Sequence, residues 1–352
     1  MKISDIQIEE LNIPLKISFE HSTASRSETE SVLVKTHTGS GHTGMGEGCP
    51  RSYVTGESIS SALKFFSKYE SEFITISSVS KLKEWITTHK IEIDNNPAAF
   101  SATEISLLNA LALDRETSIE QLLEIPKIAG KFHYTAVLGT RDAIMFHSQL
   151  KQYKAGGFKD YKVKLFGDLA IDLQNMNLFS SEFGTGIRLR FDANNLWTSA
   201  VEAIDYLEAL NTNYFAIEEP ITANKYEDLK LIYKALDKKI ILDESFLKSE
   251  DFQHIREDPL PWIINLRISK MGGIIRSLSI AAEARELGIP LIIGAQVGET
   301  SILTRAALMV ASSCRKILIA QEGAYGTHLL SYDLIDPPIS FGAGGILEIP
   351  KD

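Results

Sequence analysis

Two blocks near the start of the chain, MKISDIQIEEL and ESVLVKTH within residues 1–37, alternate apolar and polar positions and predict antiparallel strands. Between them ISFEHSTASRSETE, polar and rich in Ser and Thr, reads as a mobile loop. A second loop is expected at GSGHTGMGEGCPRSYVTGES, dense in Gly and containing Pro50. Loops this long are uncommon without a task, and a lid over an active site and an ordinary surface connection stand as equal readings. Helical periodicity then runs through residues 57–125, as in SALKFFSKYESEF and FSATEISLLNALALD.

From residue 133 the pattern becomes a repeated alternation of strand and helix. The expected strands are HYTAVL (133–138), DYKVKL (160–165), IRLRFD (187–192), YFAIEE (214–219), IILDE (240–244), WIINLR (262–267), PLIIG (290–294) and ILIAQ (317–321). Helices such as RDAIMFHSQLKQYKA and SLSIAAEARELG fall between them, with Gly156-Gly157 and Gly288 at C-cap positions. Eight strands alternating with helices suggest a closed parallel barrel. The rival, a doubly wound open sheet, lacks a G-x-G-x-x-G after its first strand. The closing PPISFGAGGILEIPKD is expected to return and cover the first domain.

A chain of 352 residues with 44% apolar content has enough material for a barrel and a smaller partner domain. The expected division is an α+β capping domain at 1–125, completed by about 335–352, and a barrel at 126–334 carrying the active site. The net charge of −10 disfavours nucleic acid as a partner but leaves an anionic small molecule open. Two cysteines, Cys49 and Cys314, are too few for a disulfide framework, and a reduced cytoplasmic setting is expected. The first residues lack the apolar run of a signal peptide, and no stretch is long enough to span a bilayer. Symmetric self-assembly is expected of a barrel of this kind.

Charged residues at the strand ends carry the chemistry. Asp192, Glu218 and Asp243 each close an apolar strand, 26 and 25 residues apart, close to one strand plus one helix each time. Any one of them alone reads as a helix cap. Three at near-equal spacing suggest carboxylates converging on a hard divalent cation such as Mg²⁺. Glu219, Glu244 and Asn194 are expected to support them. Lys162 and Lys164 share one face of their strand, so repulsion lowers the pKa of one and prepares it as a base. Taken alone, the pair reads more readily as solvated surface. Lys270 follows the sixth strand and is expected to reach the cavity from the opposite side, or else to lie solvated in its loop. Glu299 is a candidate partner of Lys270 or the substrate. Tyr325 and His328, after the eighth strand, are candidate substrate contacts. HExxH, CxxC, G-x-S-x-G and P-loop motifs are absent.

K-x-K at Lys162 and Lys164, D-x-N at Asp192 and Asn194, E-x-P at Glu218 and Pro220, D-E-S at Asp243 to Ser245, and Lys270 together resemble the enolase superfamily, in its muconate-lactonizing-enzyme subgroup. The resemblance covers nearly the whole chain. It implies a (β/α)7β TIM-like barrel with an α+β capping domain that carries two mobile loops. It further implies Mg²⁺ on Asp192, Glu218 and Asp243, holding a substrate carboxylate and stabilising an enediolate. Lys164 and Lys270 would then remove and return the α-proton on opposite faces, with Lys162 neutralising charge. The layout, Thr135 included as a substrate contact, is similar to that of dipeptide epimerases, which implies a dipeptide or related carboxylate as substrate. N-acylamino acid racemases, o-succinylbenzoate synthases and muconate cycloisomerases share the constellation. The sequence departs from the epimerases in two places. Ala324-Tyr325-Gly326 stands where they carry an Asp-x-Asp that binds the substrate ammonium, and Arg267 stands for a lysine. A barrel that only binds a metabolite is the non-enzymatic rival, and a lysine on each face argues against it.

Overall fold

The computed structural model describes residues 1–21, 24–184 and 186–350. Strands Ile3–Leu11, Ser31–Thr38 and Thr43–Gly48 form an antiparallel sheet in that order, with Ile6 and Ile3 buried on one face. The segment read as a first mobile loop is instead the paired strands Pro14–His21 and Ala24–Glu28, with Phe19 opposite Arg26. The tip of that segment, 22–23, lies outside the described residues.

The second expected loop also contains a strand, Thr43–Gly48. Its glycines are there for contact. Gly44, Gly46 and Gly48 recur at every second position on one face, and a Cβ at any of them would overlap backbone atoms of helix Pro97–Asp114. The helix therefore lies directly on the strand. Its other faces meet neighbouring helices and the barrel, so Ser101, Thr103, Glu104 and Ser106 are all buried along with Leu107, Leu108 and Leu111. Helices Ile59–Phe73 and Val79–Thr88 complete this layer, with Phe65, Tyr69, Phe73 and Phe100 clustered around Trp85.

Three carboxyl groups are buried in and around this layer. Burial pushes Glu47 and Glu57 up from 4.5 to about 7, and Glu104 to about 8, against N–H donors that favour the charged forms. A carboxyl raised in this way holds its proton more tightly folded than unfolded. Its stabilising contribution is therefore complete below the unfolded value and declines as pH rises through the folded one. Resistance to urea, followed with a chelator present, is expected to fall between about pH 5 and about pH 8. A resistance that climbs over that window contradicts the assignment.

All eight expected barrel strands are present, somewhat shorter than their sequence patterns: Ala136–Leu138, Asp160–Lys164, Arg188–Asp192, Ala216–Glu218, Lys239–Leu242, Trp262–Leu266, Leu291–Ile293 and Leu318–Gln321. They form one parallel sheet in chain order, and Thr135 N closes the ring by donating to Gln321 O at 2.8 Å. Parallel strands covered on both sides read as near-continuous apolar runs, and Trp262–Leu266, apolar but for Asn265, is buried at every position. The chain is thus a TIM-like barrel with an antiparallel α+β capping domain. The first strand is shorter than its pattern because His133 belongs to a separate strand, Gly130–His133, which pairs antiparallel with Ile346–Ile349 of the closing segment. Gly288 ends its helix in the left-handed region, as its position suggested. No helix among the described residues is long and apolar enough to cross a membrane.

Candidate active site

The sheet register sets Lys164 beside Asp192 and Asp192 beside Glu218. Asp243 follows the next strand, so the three carboxylates stand in a row at the C-terminal mouth of the barrel. All three are at most 2% exposed. Lys162 Nζ lies between the first two, 3.3 Å from Asp192 Oδ2 and 3.4 Å from Glu218 Oε2. Arg267 bridges the others, pairing with Asp243 Oδ2 and lying 3.6 Å from Glu218 Oε1. Burial alone would raise the Asp243 carboxyl, but Arg267 and Lys270 beside it hold it below the usual carboxylate range.

Lys270 approaches the row from the Asp243 end. Its Nζ donates to Asp243 Oδ1 at 2.8 Å, Asp243 O at 2.8 Å and Asn265 O at 2.7 Å. Lys164 stands at the other end. Burial lowers its pKa, opposed by Asp192 and reinforced by Lys162 and Arg267. The direction agrees with the repulsion argument from the K-x-K pair, but desolvation is the larger cause. Lys162 itself is raised, because Glu218, Glu322 and Asp192 together outweigh its burial.

The residues behind the row brace it. Glu219, with φ +40, breaks the strand pleat and turns its carboxylate toward the next strand end. There it accepts Asp243 N and Ser245 N, both at 2.7 Å, and Ser245 Oγ at 2.8 Å. Asn194 N donates to Asp192 Oδ1 at 3.2 Å. Asn265 Nδ2 donates to Glu218 Oε1 at 2.8 Å, a contact the sequence reading missed.

Glu322 was also missed. It follows the eighth strand, accepting Lys162 Nζ at 2.9 Å and Arg190 Nη2 at 2.7 Å. These two cations hold its carboxyl down at about 2 against burial. Arg190 continues to Asp160 at 2.5 Å and to Thr135 Oγ1 at 3.1 Å. A polar chain therefore runs down the barrel axis from Lys162 to Thr135. Thr135 lies at the start of its strand and is spent on that chain, away from the mouth where the resemblance placed it.

Three further candidates are displaced from the carboxylates. Tyr325 lies near Tyr153 and packs its ring 5.3 Å from Phe341. His328 stacks on Phe341, with Nε2 2.9 Å from Phe341 O. Both thus hold the closing segment. Glu299 turns back on its own loop, accepting Gln296 N at 2.6 Å, and burial pushes it up to about 8.

Among the described residues, no three His, Cys, Asp or Glu side chains enclose a metal position by themselves. Their donor chemistry nevertheless fits a hard divalent cation. Asp192, Glu218 and Asp243 offer oxygens only, and each neighbouring pair shares one cationic nitrogen. Glu244 Oε2 and Asn265 Oδ1, close behind the row, are buried without a hydrogen-bond partner. Arg267 Nε, beside them, is a buried donor that likewise has no partner.

The model of the enolase C-terminal domain-like family matches residues 145–351. The hydrophobic dipeptide epimerase of Enterococcus faecalis is 26% identical over 331 residues, 92% of this chain and 91% of that protein. The N-succinyl-L-Arg/Lys racemase of Bacillus cereus is 25% identical over 340 residues, 92% of this chain and 87% of that protein. The crystal structure of a dipeptide epimerase from Cytophaga hutchinsonii, complexed with Mg and D-Ala-L-Val, superposes with a TM-score of 0.83 at 27% identity. It covers 99% of this chain and 94% of that one.

Proposed function

Because the chain belongs to the enolase C-terminal domain-like family, we propose that it is a Mg²⁺-dependent epimerase acting at the carbon α to a carboxylate, with a dipeptide as substrate. The observation that carries this reading is the order Lys164, Asp192, Glu218, Asp243, Lys270 along the barrel mouth, with one amine at each end of the acidic row. Relatives named as dipeptide epimerases support the substrate class.

In this reading Asp192, Glu218 and Asp243 hold the ion. When bound, it neutralises the charge that grows on the substrate carboxylate as the α-proton leaves. Lys164, its pKa lowered by burial, takes a proton from one face in its neutral form. Lys270 returns one from the other face through Nζ, and the reverse direction exchanges their roles. Lys162 lies between adjacent carboxylates and offsets their mutual repulsion. Two buried, unpaired cysteines support a reducing compartment such as the cytoplasm.

A second reading, an N-acylamino acid racemase, is favoured by Glu322. Both its oxygens are engaged by Lys162 and Arg190 rather than offered to a substrate ammonium. Incubation in D₂O with dipeptides and N-acylamino acids, followed by proton NMR, separates the two. Loss of the α-proton signal with both diastereomers appearing is the expected result for dipeptides. Absence of exchange across both substrate classes rejects the reaction.

Gly139 offers a milder test of Lys164. It follows the first barrel strand, and a Cβ there would lie 2.9 Å from Lys164 Cδ and 3.3 Å from Cγ. Gly139→Ala is expected to displace the lysine stem and slow exchange from one diastereomer by about tenfold to a hundredfold, with little loss of stability. Equal slowing from both diastereomers in a stopped-time NMR assay contradicts it.

A further inference from the structure

Lys270 rides on a four-residue helix, Ile268–Met271, joined by Gly272-Gly273 to the helix Ile274–Leu287. The capping domain grips this stretch at three points. Cys49 N donates to Ser269 Oγ at 2.8 Å, next to the lysine. Arg276 Nη2 pairs with Asp94, while its Nε donates to Met271 O at 2.9 Å. Between these lies Glu104, fully buried on helix Pro97–Asp114. Its Oε2 accepts Ile274 N, and its Oε1 accepts Ile275 N at 3.1 Å.

The first turn of helix Ile274–Leu287 thus finds its N–H acceptor on a different domain, 170 residues earlier in the chain. Gly273 makes the contact possible. Its φ is +100, and a Cβ there would overlap the Glu104 carboxylate. A buried carboxyl group with both oxygens accepting successive N–H groups fixes the helix start in two directions. The Gly-Gly link transmits that position to the turn carrying Lys270. Lys164, by contrast, stands on the strand Asp160–Lys164, whose position is set by its neighbours in the sheet.

We propose that Glu104 is a positioning residue for Lys270, setting from the capping domain how the Nζ group sits beside Asp243. The inference rests on the reading of Lys270 as one of two opposed bases, and it predicts a one-sided defect. Glu104→Gln keeps the volume but offers one acceptor and turns an NH₂ toward a backbone donor. Glu104→Asp keeps the carboxyl group but withdraws it by one methylene.

The test measures α-proton exchange separately for each diastereomer, the Lys270-dependent one being defined as that lost in Lys270→Ala. Glu104→Gln is expected to slow that exchange by about a hundredfold, the scale of a misplacement near 1 Å, and to leave the other within about twofold. Glu104→Asp, the smaller change should the first variant fold poorly, is expected to act in the same sense. A companion measurement needs no substrate. Reductive methylation of the wild-type and variant proteins, read by peptide mass spectrometry, is expected to show Lys270 gaining reactivity relative to Lys164. Equal slowing of both diastereomers, no slowing, or an unchanged labelling ratio overturns the role of Glu104. A wild-type protein that exchanges neither diastereomer counts against the reaction instead, and the labelling ratio then decides Glu104 alone.

Discussion

Asp243→Asn is expected to lower turnover by at least about 10³-fold and to abolish the Mg²⁺ binding seen by titration calorimetry with the wild-type protein. The variant keeps the shape of the side chain and removes its charge. Asp243 serves three partners at once. Its Oδ1 accepts Lys270 Nζ, its Oδ2 pairs with Arg267, and its backbone N–H is held by Glu219. Loss of the charge takes away one proposed ion ligand and leaves two buried cations short of a counter-charge. Breaking a buried pair in this way costs about 3–5 kcal/mol in general, so a lower melting temperature is expected as well. Retention of Mg²⁺ affinity in a folded Asp243→Asn protein removes Asp243 from the ion site.

Lys270→Ala is expected to split the two halves of the reaction. Epimerisation requires a proton to leave one face and return on the other, so it stops in both directions. Exchange with solvent requires a single base. It is expected to persist for the diastereomer served by Lys164 and to fall by about 10²- to 10⁴-fold for the other, the range that general acid–base catalysis contributes. Lys164→Ala is the mirror experiment. Proton NMR in D₂O with each purified diastereomer reads both. Equal exchange from the two diastereomers in Lys270→Ala rules out a two-base arrangement.

The row of carboxylates was legible because each follows an apolar strand at one strand-plus-helix interval, and parallel register turns that interval into adjacency. Lys162 and Lys164 were legible by alternation. The same alternation, carried back to Asp160 and along the next strand to Arg190, contains the signal for the axial polar chain. Glu322 follows an apolar run as the other acids do, but the Tyr and His after it drew the assignment toward residues that pack on Phe341. Gly44, Gly46 and Gly48 have a loop's composition, and only the helix lying against them reveals a strand. The grip of Glu47 on Thr300 and of Glu104 on Ile274 joins residues 253 and 170 positions apart. Such contacts arise from tertiary packing and leave no local pattern to read.

The most direct measurement is a crystal structure of the protein with Mg²⁺ and a dipeptide that it epimerises. The account predicts the ion on Asp192, Glu218 and Asp243, the substrate carboxylate on the ion, and the α-carbon between Lys164 Nζ and Lys270 Nζ. Both amines on one side of that carbon, or an ion held by other residues, contradicts it.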